Sequence, residues 1–255
     1  MTEKMTSLMA LGEWEEFQQA ALEVSQRDHS NIKAITGLTF YEIAREGNAD
    51  NAMMRLRELE NVINKKENRS PKLLYEAAQL FLRVCGRNVR FVGILKKIID
   101  SCRKTDPLNA DYAIEQGRQF IMLEQVEDAY KAFQEASSLD ESKLESIAGM
   151  IECKLLQEDF DDAENQIEFV KVMQETIGKT PVIVYLEAVL TMRKAQESAA
   201  ALVEAHRILD GALKLQIAYS KTLTPGFLYY TKLNPDFLFA IAELYLQGVS
   251  MKEML

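Results

Sequence analysis

Apolar residues recur at helical spacing along nearly the whole chain, and Gly, Asn and Pro interrupt them at short intervals. The clearest stretch runs from Ala110 to Val170. Gly117, Phe120, Ala129, Phe133 and Ala136 mark one helix-turn-helix unit there, and Ala163, Ile167 and Val170 repeat its last three positions at one constant offset. The spacing has a packing reason. Alanine at Ala129 and Ala163 lets the second helix of a pair approach the first, and Phe133 or Ile167, one turn on, fills the space beside the crossing. A bulky side chain at either alanine overpacks that crossing, at about 1–3 kcal/mol.

A fixed period of about 34 residues with this small, large, small pattern is the tetratricopeptide signature. It predicts an all-α chain, a tetratricopeptide-type antiparallel helix-pair solenoid wound as a right-handed superhelix. We expect a single array over residues 1–255, most regular over 110–177, with looser copies on either side. Residues 7–12 read as the end of a first helix and a Gly turn, and 13–24 as its partner. Phe17 stands close to one period before Ala52 and replaces the small residue. The array is therefore expected to open inside a repeat, as a piece excised from a longer chain. Ile32, Ile35, Leu38, Thr39 and Ile43, then Gly47-Asn48, then Ala52, Leu56 and Leu59 give the next pair.

The third pair is irregular. A helix from Ser70-Pro71 through Cys85, a turn at Gly86-Arg87-Asn88 and a partner from Phe91 to Cys102 are expected, but neither Gly93 nor Ile94 offers a clean alanine-equivalent. The separation of Ala52 from Ala129 exceeds two periods, and the excess is assigned to the connection at 64–69. Beyond the regular repeats, Gly178 ends one helix, Thr180-Pro181 opens the next, and its partner runs from about Ser198 to Ile217. Residues 219–233 form the least regular segment. Asn234-Pro235 then opens a last helix over 236–246. Pro71, Pro107, Pro181 and Pro235 each follow a residue favoured at a helix N-cap, so each is expected at the first helical position.

Composition agrees with helix. With 11 Gly and 5 Pro in 255 residues, few breaks are left for a many-stranded sheet. A net charge of −9 argues against a nucleic-acid footprint, and no apolar run suffices for direct membrane insertion. Three widely separated cysteines in apolar helical contexts point to free thiols in a reducing compartment.

Candidate chemistry is sparse. His29 and His206 are the two histidines, and neither has partners at ligand spacing. No nucleophile elbow or Gly-rich phosphate loop occurs, so no enzyme, cofactor or metal is expected. The run Asp159, Asp161, Asp162, Glu164 suits the positive start of a helix and lacks the spacing of a calcium loop. Trp14, Phe17, Phe91, Phe133, Phe160 and Phe169 fall at expected packing positions. Phe227, Tyr229 and Tyr230, after Pro225-Gly226, either tuck over the last groove of the array or are presented to a partner.

Several strings go beyond the repeat consensus: Gly86-Arg87, Leu139-Asp140-Glu141, Asp162-Ala163-Glu164 with Ile167-Glu168-Phe169, Gln174-Glu175 with Ile177-Gly178-Lys179, the run from Tyr185 to Leu190, and Lys232-Leu233-Asn234-Pro235-Asp236-Phe237-Leu238. On these the chain resembles the tetratricopeptide repeat protein 21 family, the long repeat subunit of intraflagellar transport complex A, in order across about residues 31–246. The resemblance implies a non-catalytic scaffold in retrograde ciliary transport and ciliary entry of cargo. It implies a cytoplasmic protein of the cilium, axoneme and ciliary base, with the other complex A subunits and cargo adaptors as partners. Ile151 in place of a small residue, Phe17, and the stretches before Asn31 and over 196–226 depart from the pattern.

The alternative is a peptide-binding co-chaperone module, which grips a terminal carboxylate with basic residues on the inner faces of first helices. In the regular repeats those positions are Asp111, Ile114, Arg118, Ile121 and then Glu145, Ala148, Glu152, Leu155. One base against three acids disfavours a carboxylate clamp and suits apolar or basic partners. Arg118 and Glu152 join Phe227, Tyr229 and Tyr230 as candidate contact residues.

Overall fold

The computed structural model of the chain describes residues 2–65, 70–195 and 198–253. Every regular element among the described residues is an α-helix. They form two compact units, one of residues 1–108 with 223–232 and one of 109–222 with 233–255. The first contains α1 (Thr2–Leu11), α2 (Trp14–Arg27), α3 (Ile32–Ala44), α4 (Ala49–Lys65), α5 (Pro71–Val84) and α6 (Val89–Thr105). The second contains α7 (Ala110–Met122), α8 (Val126–Leu139), α9 (Leu144–Leu156), α10 (Phe160–Ile177), α11 (Pro181–Lys194) and α12 (Ala199–Ser220). After α12 the chain bends, forms the short α13 (Phe227–Leu233), and ends in α14 (Pro235–Glu253) of the second unit.

Within each unit consecutive helices pack as antiparallel pairs across short turns, and first helices of successive pairs pack on one another: α1 on α3 and α3 on α5, then α7 on α9 and α9 on α11. This is the helix-pair arrangement that the period predicts.

The second helices share one register. Phe17-Ala21-Val24 in α2, Ala52-Leu56-Leu59 in α4, Phe91-Leu95-Ile98 in α6, Ala129-Phe133-Ala136 in α8, Ala163-Ile167-Val170 in α10 and Ala205-Leu209-Ala212 in α12 are all buried. Positions i, i+4 and i+7 line one face, so each triplet forms the seam toward its partner helix. The step from one triplet to the next is shortest between α8 and α10, longest between α10 and α12, and intermediate on either side of α6. The third pair is thus in register through Phe91. Its excess length is shared by the steps before and after Phe91 and partly absorbed by α4 and α6, each of 17 residues against 14 in α8. Residues 66–69 of the connection expected to hold it lie outside the described residues.

Phe17 replaces a small residue because the opposing helix supplies the room. A Cβ on Gly37 of α3 would lie 3.2 Å from Phe17 Cζ and 2.9 Å from Met5 Cε.

Two expectations are corrected. Pro107 does not begin a helix. The Asp106 N–H still bonds to the Cys102 carbonyl and closes α6, and Asn109 caps α7 by accepting from the Asp111 N–H at 3.1 Å, which leaves Pro107 in the turn. Pro71, Pro181 and Pro235 do stand first in their helices. Phe169 is not core. It lies between the buried Ile167 and Val170, where the helical turn points it outward, and it is 62% exposed.

Candidate interaction surfaces

The inner positions of the regular repeats meet in the second unit. Ile114, Ala148 and Leu155 are buried and belong to the packing between pairs. Arg118, Glu152, Asp111 and Ile121 remain half-exposed, and Glu145 is open to solvent. Arg118 Nη1 lies 3.4 Å from a carboxylate oxygen of Glu115, which is wholly buried one turn before it. Burial raises the Glu152 carboxyl above its ordinary range, and the Arg118 charge works against that rise. Asp111 accepts from Lys143 Nζ at 2.7 Å, so a lysine from the start of α9 ties down the acid on α7.

Sequence reasoning missed Glu115 and Lys143 because neither falls on the inner stripe. The amide of buried Gln119, one turn beyond Glu115, has no hydrogen-bond partner on either atom among the described residues.

The acidic run is answered from within the chain. Asp159 caps α10, accepting from the Asp162 N–H. Lys154 Nζ sits 3.0 Å from Asp159 and 2.8 Å from Asp162, and the same ammonium lies 5.5 Å from the centre of the Tyr130 ring. Bonds to Asp162 and then Asp159 raise the Lys154 pKa, and the Lys154 bond in turn lowers Asp162. Lys194 reaches Glu164 at 2.7 Å, and Lys171 holds Glu187 at 2.9 Å and Glu168 at 3.0 Å.

Phe227, Tyr229 and Tyr230 lie on α13, each half-buried. They pack in the first unit. Phe40 of α3 meets the Phe227 ring at 5.8 Å and the Tyr230 ring at 4.8 Å between centroids. Burial raises the Tyr230 hydroxyl, with a smaller contribution from Tyr229.

The two histidines differ in setting. His29 is exposed. The His206 ring stacks on Tyr245 at 5.6 Å and 6°, with its Nε2 enclosed and without a hydrogen-bond partner among the described residues. The Tyr245 hydroxyl donates to Asp210, and burial together with that bond pushes it up to about 12. Among the described residues, no group of three or more His, Cys, Asp or Glu is placed to hold a metal, and no helix is long and apolar enough to cross a membrane.

A sequence profile of the tetratricopeptide repeat protein 21 second ARM domain matches residues 54–253. The chain belongs to the tetratricopeptide repeat protein 21 family. Among its relatives, tetratricopeptide repeat protein 21B of Homo sapiens is 30% identical over 249 residues, which cover 98% of this chain and 19% of that protein. The Xenopus laevis 21B protein is 32% identical over 96% of this chain and 18% of its own length. The chain thus spans about a fifth of these relatives. A tetratricopeptide repeat protein from Parabacteroides merdae has the same fold, with a TM-score of 0.60 at 12% identity over 98% of this chain and 91% of its own.

The strings on which the chain resembles the tetratricopeptide repeat protein 21 family include turns whose chemistry the structure displays. Asp140, which ends α8, accepts from Ser142 N–H at 3.0 Å and Ser142 Oγ at 2.6 Å. Gly178 ends α10 at φ 90°, a backbone state that favours glycine. Asn234 takes φ 49° before Pro235, and its side chain accepts from the Phe237 N–H at 3.3 Å.

Proposed function

We propose that this chain is a non-catalytic interaction segment of an intraflagellar transport complex A subunit, acting in retrograde ciliary transport and in ciliary entry of cargo. The family match over residues 54–253 carries the reading. The stacked helix pairs fit it, since their buried triplets are spent on holding the array together and their outer faces and inner polar positions remain for partners.

The co-chaperone alternative is weaker. Arg118, the base on the inner stripe of the regular repeats, already lies against Glu115 and close to Glu152, so an incoming carboxylate meets two acids beside it.

The test is co-elution of this chain on a sizing column with each of the other complex A subunits. A joint peak with any of them supports the reading. Separate elution from every subunit, singly and combined, removes a complex A interface from these residues.

A further inference from the structure

Phe40 of α3 is 1% exposed, and part of what covers it comes from α13, far downstream in the chain. Trp14 of α2 stacks on Phe40 at 6.2 Å and 26°, while Phe227 meets it at 69° and Tyr230 at 48°. Tyr229 then packs edge-on against Tyr230 at 5.1 Å. Phe227 and Tyr230 are one helical turn apart on α13, so both rings leave one face of that helix. Anchors at i and i+3 entering an apolar groove are how one polypeptide reads an amphipathic helix of another.

α13 has the character of a seated ligand rather than of core. It has seven residues, none fully buried, and Leu228 on its far side is 60% exposed. A helix this short is not stable by itself, so the groove shapes α13 and not the reverse. Residues 221–226, which lead into it, are turns and bends with mostly exposed side chains, and Asn234 behind it sits in the left-handed region. Gln216 Nε2 donates to the Leu233 carbonyl at 2.7 Å, at the end of the segment and away from the ring contacts.

We propose that the Trp14–Phe40 face of α2 and α3 is a docking groove for a short helix of another polypeptide carrying aromatic side chains at i and i+3, and that α13 is its resident occupant, displaced when such a helix binds. The proposal rests on the scaffold reading and specifies the chemistry of one contact.

The probe is a labelled peptide of residues 221–234, added in trans to this chain and to its Phe227→Ala/Tyr230→Ala variant, with Trp14 fluorescence as a second readout. A tethered occupant competes at an effective concentration on the order of millimolar, so the variant should bind the peptide at least about tenfold more tightly than the unmodified chain. Adding Phe40→Leu to the variant should remove the binding. If the variant keeps its helical circular dichroism and melting yet binds no better, the groove is not a docking site.

Hydrogen exchange on the unmodified chain needs no variant. Amides of 227–233 should exchange at least about tenfold faster than those of α3, and equal protection overturns the displaceable occupant. A dimer of the unmodified chain that the double substitution converts to monomer gives the groove to a second copy and overturns its assignment to another polypeptide. Failure of the peptide alongside co-elution with complex A subunits would sink the groove and leave the scaffold standing.

Discussion

Gly149 is the position at which one methyl group should count most. The Phe133 ring, wholly buried in the seam of α8, lies between α7 and α9 with a glycine on each side. A Cβ on Gly117 would come within 2.7 Å of Phe133 Cε1; one on Gly149 would come within 2.5 Å of Cδ1 and closer still to Cε1 and Cζ. The ring cannot move away from one helix without striking the other. Glycine to alanine inside a helix ordinarily gains about 1 kcal/mol. Overpacking costs about 1–3 kcal/mol, and a ring held on both sides belongs at the upper end, so Gly149→Ala should lose about 2 kcal/mol net. In a unit of this size that lowers the melting midpoint by roughly 4–8 °C. Gly211→Ala is the control. Its Cβ would meet Val184 Cγ1 at 3.7 Å, an ordinary contact, so the same substitution should stabilise by up to about 1 kcal/mol. Phe133→Leu should rescue Gly149→Ala in part, with a coupling of about 1 kcal/mol or more across the double-mutant cycle. Thermal and urea melts followed by far-UV circular dichroism decide it. Alanine shifts of the same sign at Gly149 and Gly211 would show that Phe133 does not bridge three helices.

Phe169→Asp should change stability by no more than about 0.5 kcal/mol, while Ile167→Ala on the same turn should cost about 2–5 kcal/mol, both read by urea melts. Burial pushes the Cys102 thiol up to about 12, and burial with the nearby Glu152 does the same for Cys153. Thiol titration of the native chain at mildly alkaline pH should therefore show one fast group, half-buried Cys85, and two that react only as the protein opens. Lys154→Met should cost about 1 kcal/mol at low salt and less at high salt, because its carboxylate partners are partly exposed. Bonding to Lys154 holds Asp162 below its ordinary carboxylate value, so that stability is complete above the unfolded carboxylate pKa and is lost as pH falls through the lowered folded one. The acid limb of a stability profile should accordingly be shallower in Lys154→Met, and parallel limbs would dismiss the pair.

The seam was legible at three of its alanines. Ala52, Ala129 and Ala163 announce their helices because a small residue one turn before a large one has few other reasons to recur. Phe91 hid the same position, since a large residue there looks like any core phenylalanine until the facing helix is known. Phe17 hid it too, with its compensating small residue at Gly37 on another helix. Ala205-Leu209-Ala212 kept the pattern but lies well beyond one period after Ala163, outside the spacing of the repeat. Phe169 misled because Ile167 and Val170, which flank it, are core, and a small shift of helical phase turns a side chain outward. The seat of α13 could not be read from the chain at all: local pattern shows Phe227 and Tyr230 on one face, but the ring that receives them belongs to α3, far upstream, and is brought there by tertiary packing.

Charge tells a similar story about partners. A net charge of −9 suggests a basic partner, yet four lysines of the second unit sit where they neutralise acids of a different helix. Lys143 reaches from the start of α9 to Asp111 on α7, Lys154 from α9 to Asp162 on α10, Lys171 from α10 to Glu187 on α11, and Lys194 from α11 back to Glu164 on α10. Each exposed pair contributes at most about 1 kcal/mol, so these pairs fix register between neighbouring helices more than they stabilise the unit. A basic partner must compete with them for the same carboxylates. Apolar contacts face no such competitor on α10, where Phe169 and Val172 are 62% and 67% exposed one turn apart, and at the Phe40 groove the competitor is a seven-residue helix. Recognition by this segment is therefore expected to depend weakly on salt, and a steep loss of partner binding between low and physiological salt would return the acidic residues to the centre of the interface.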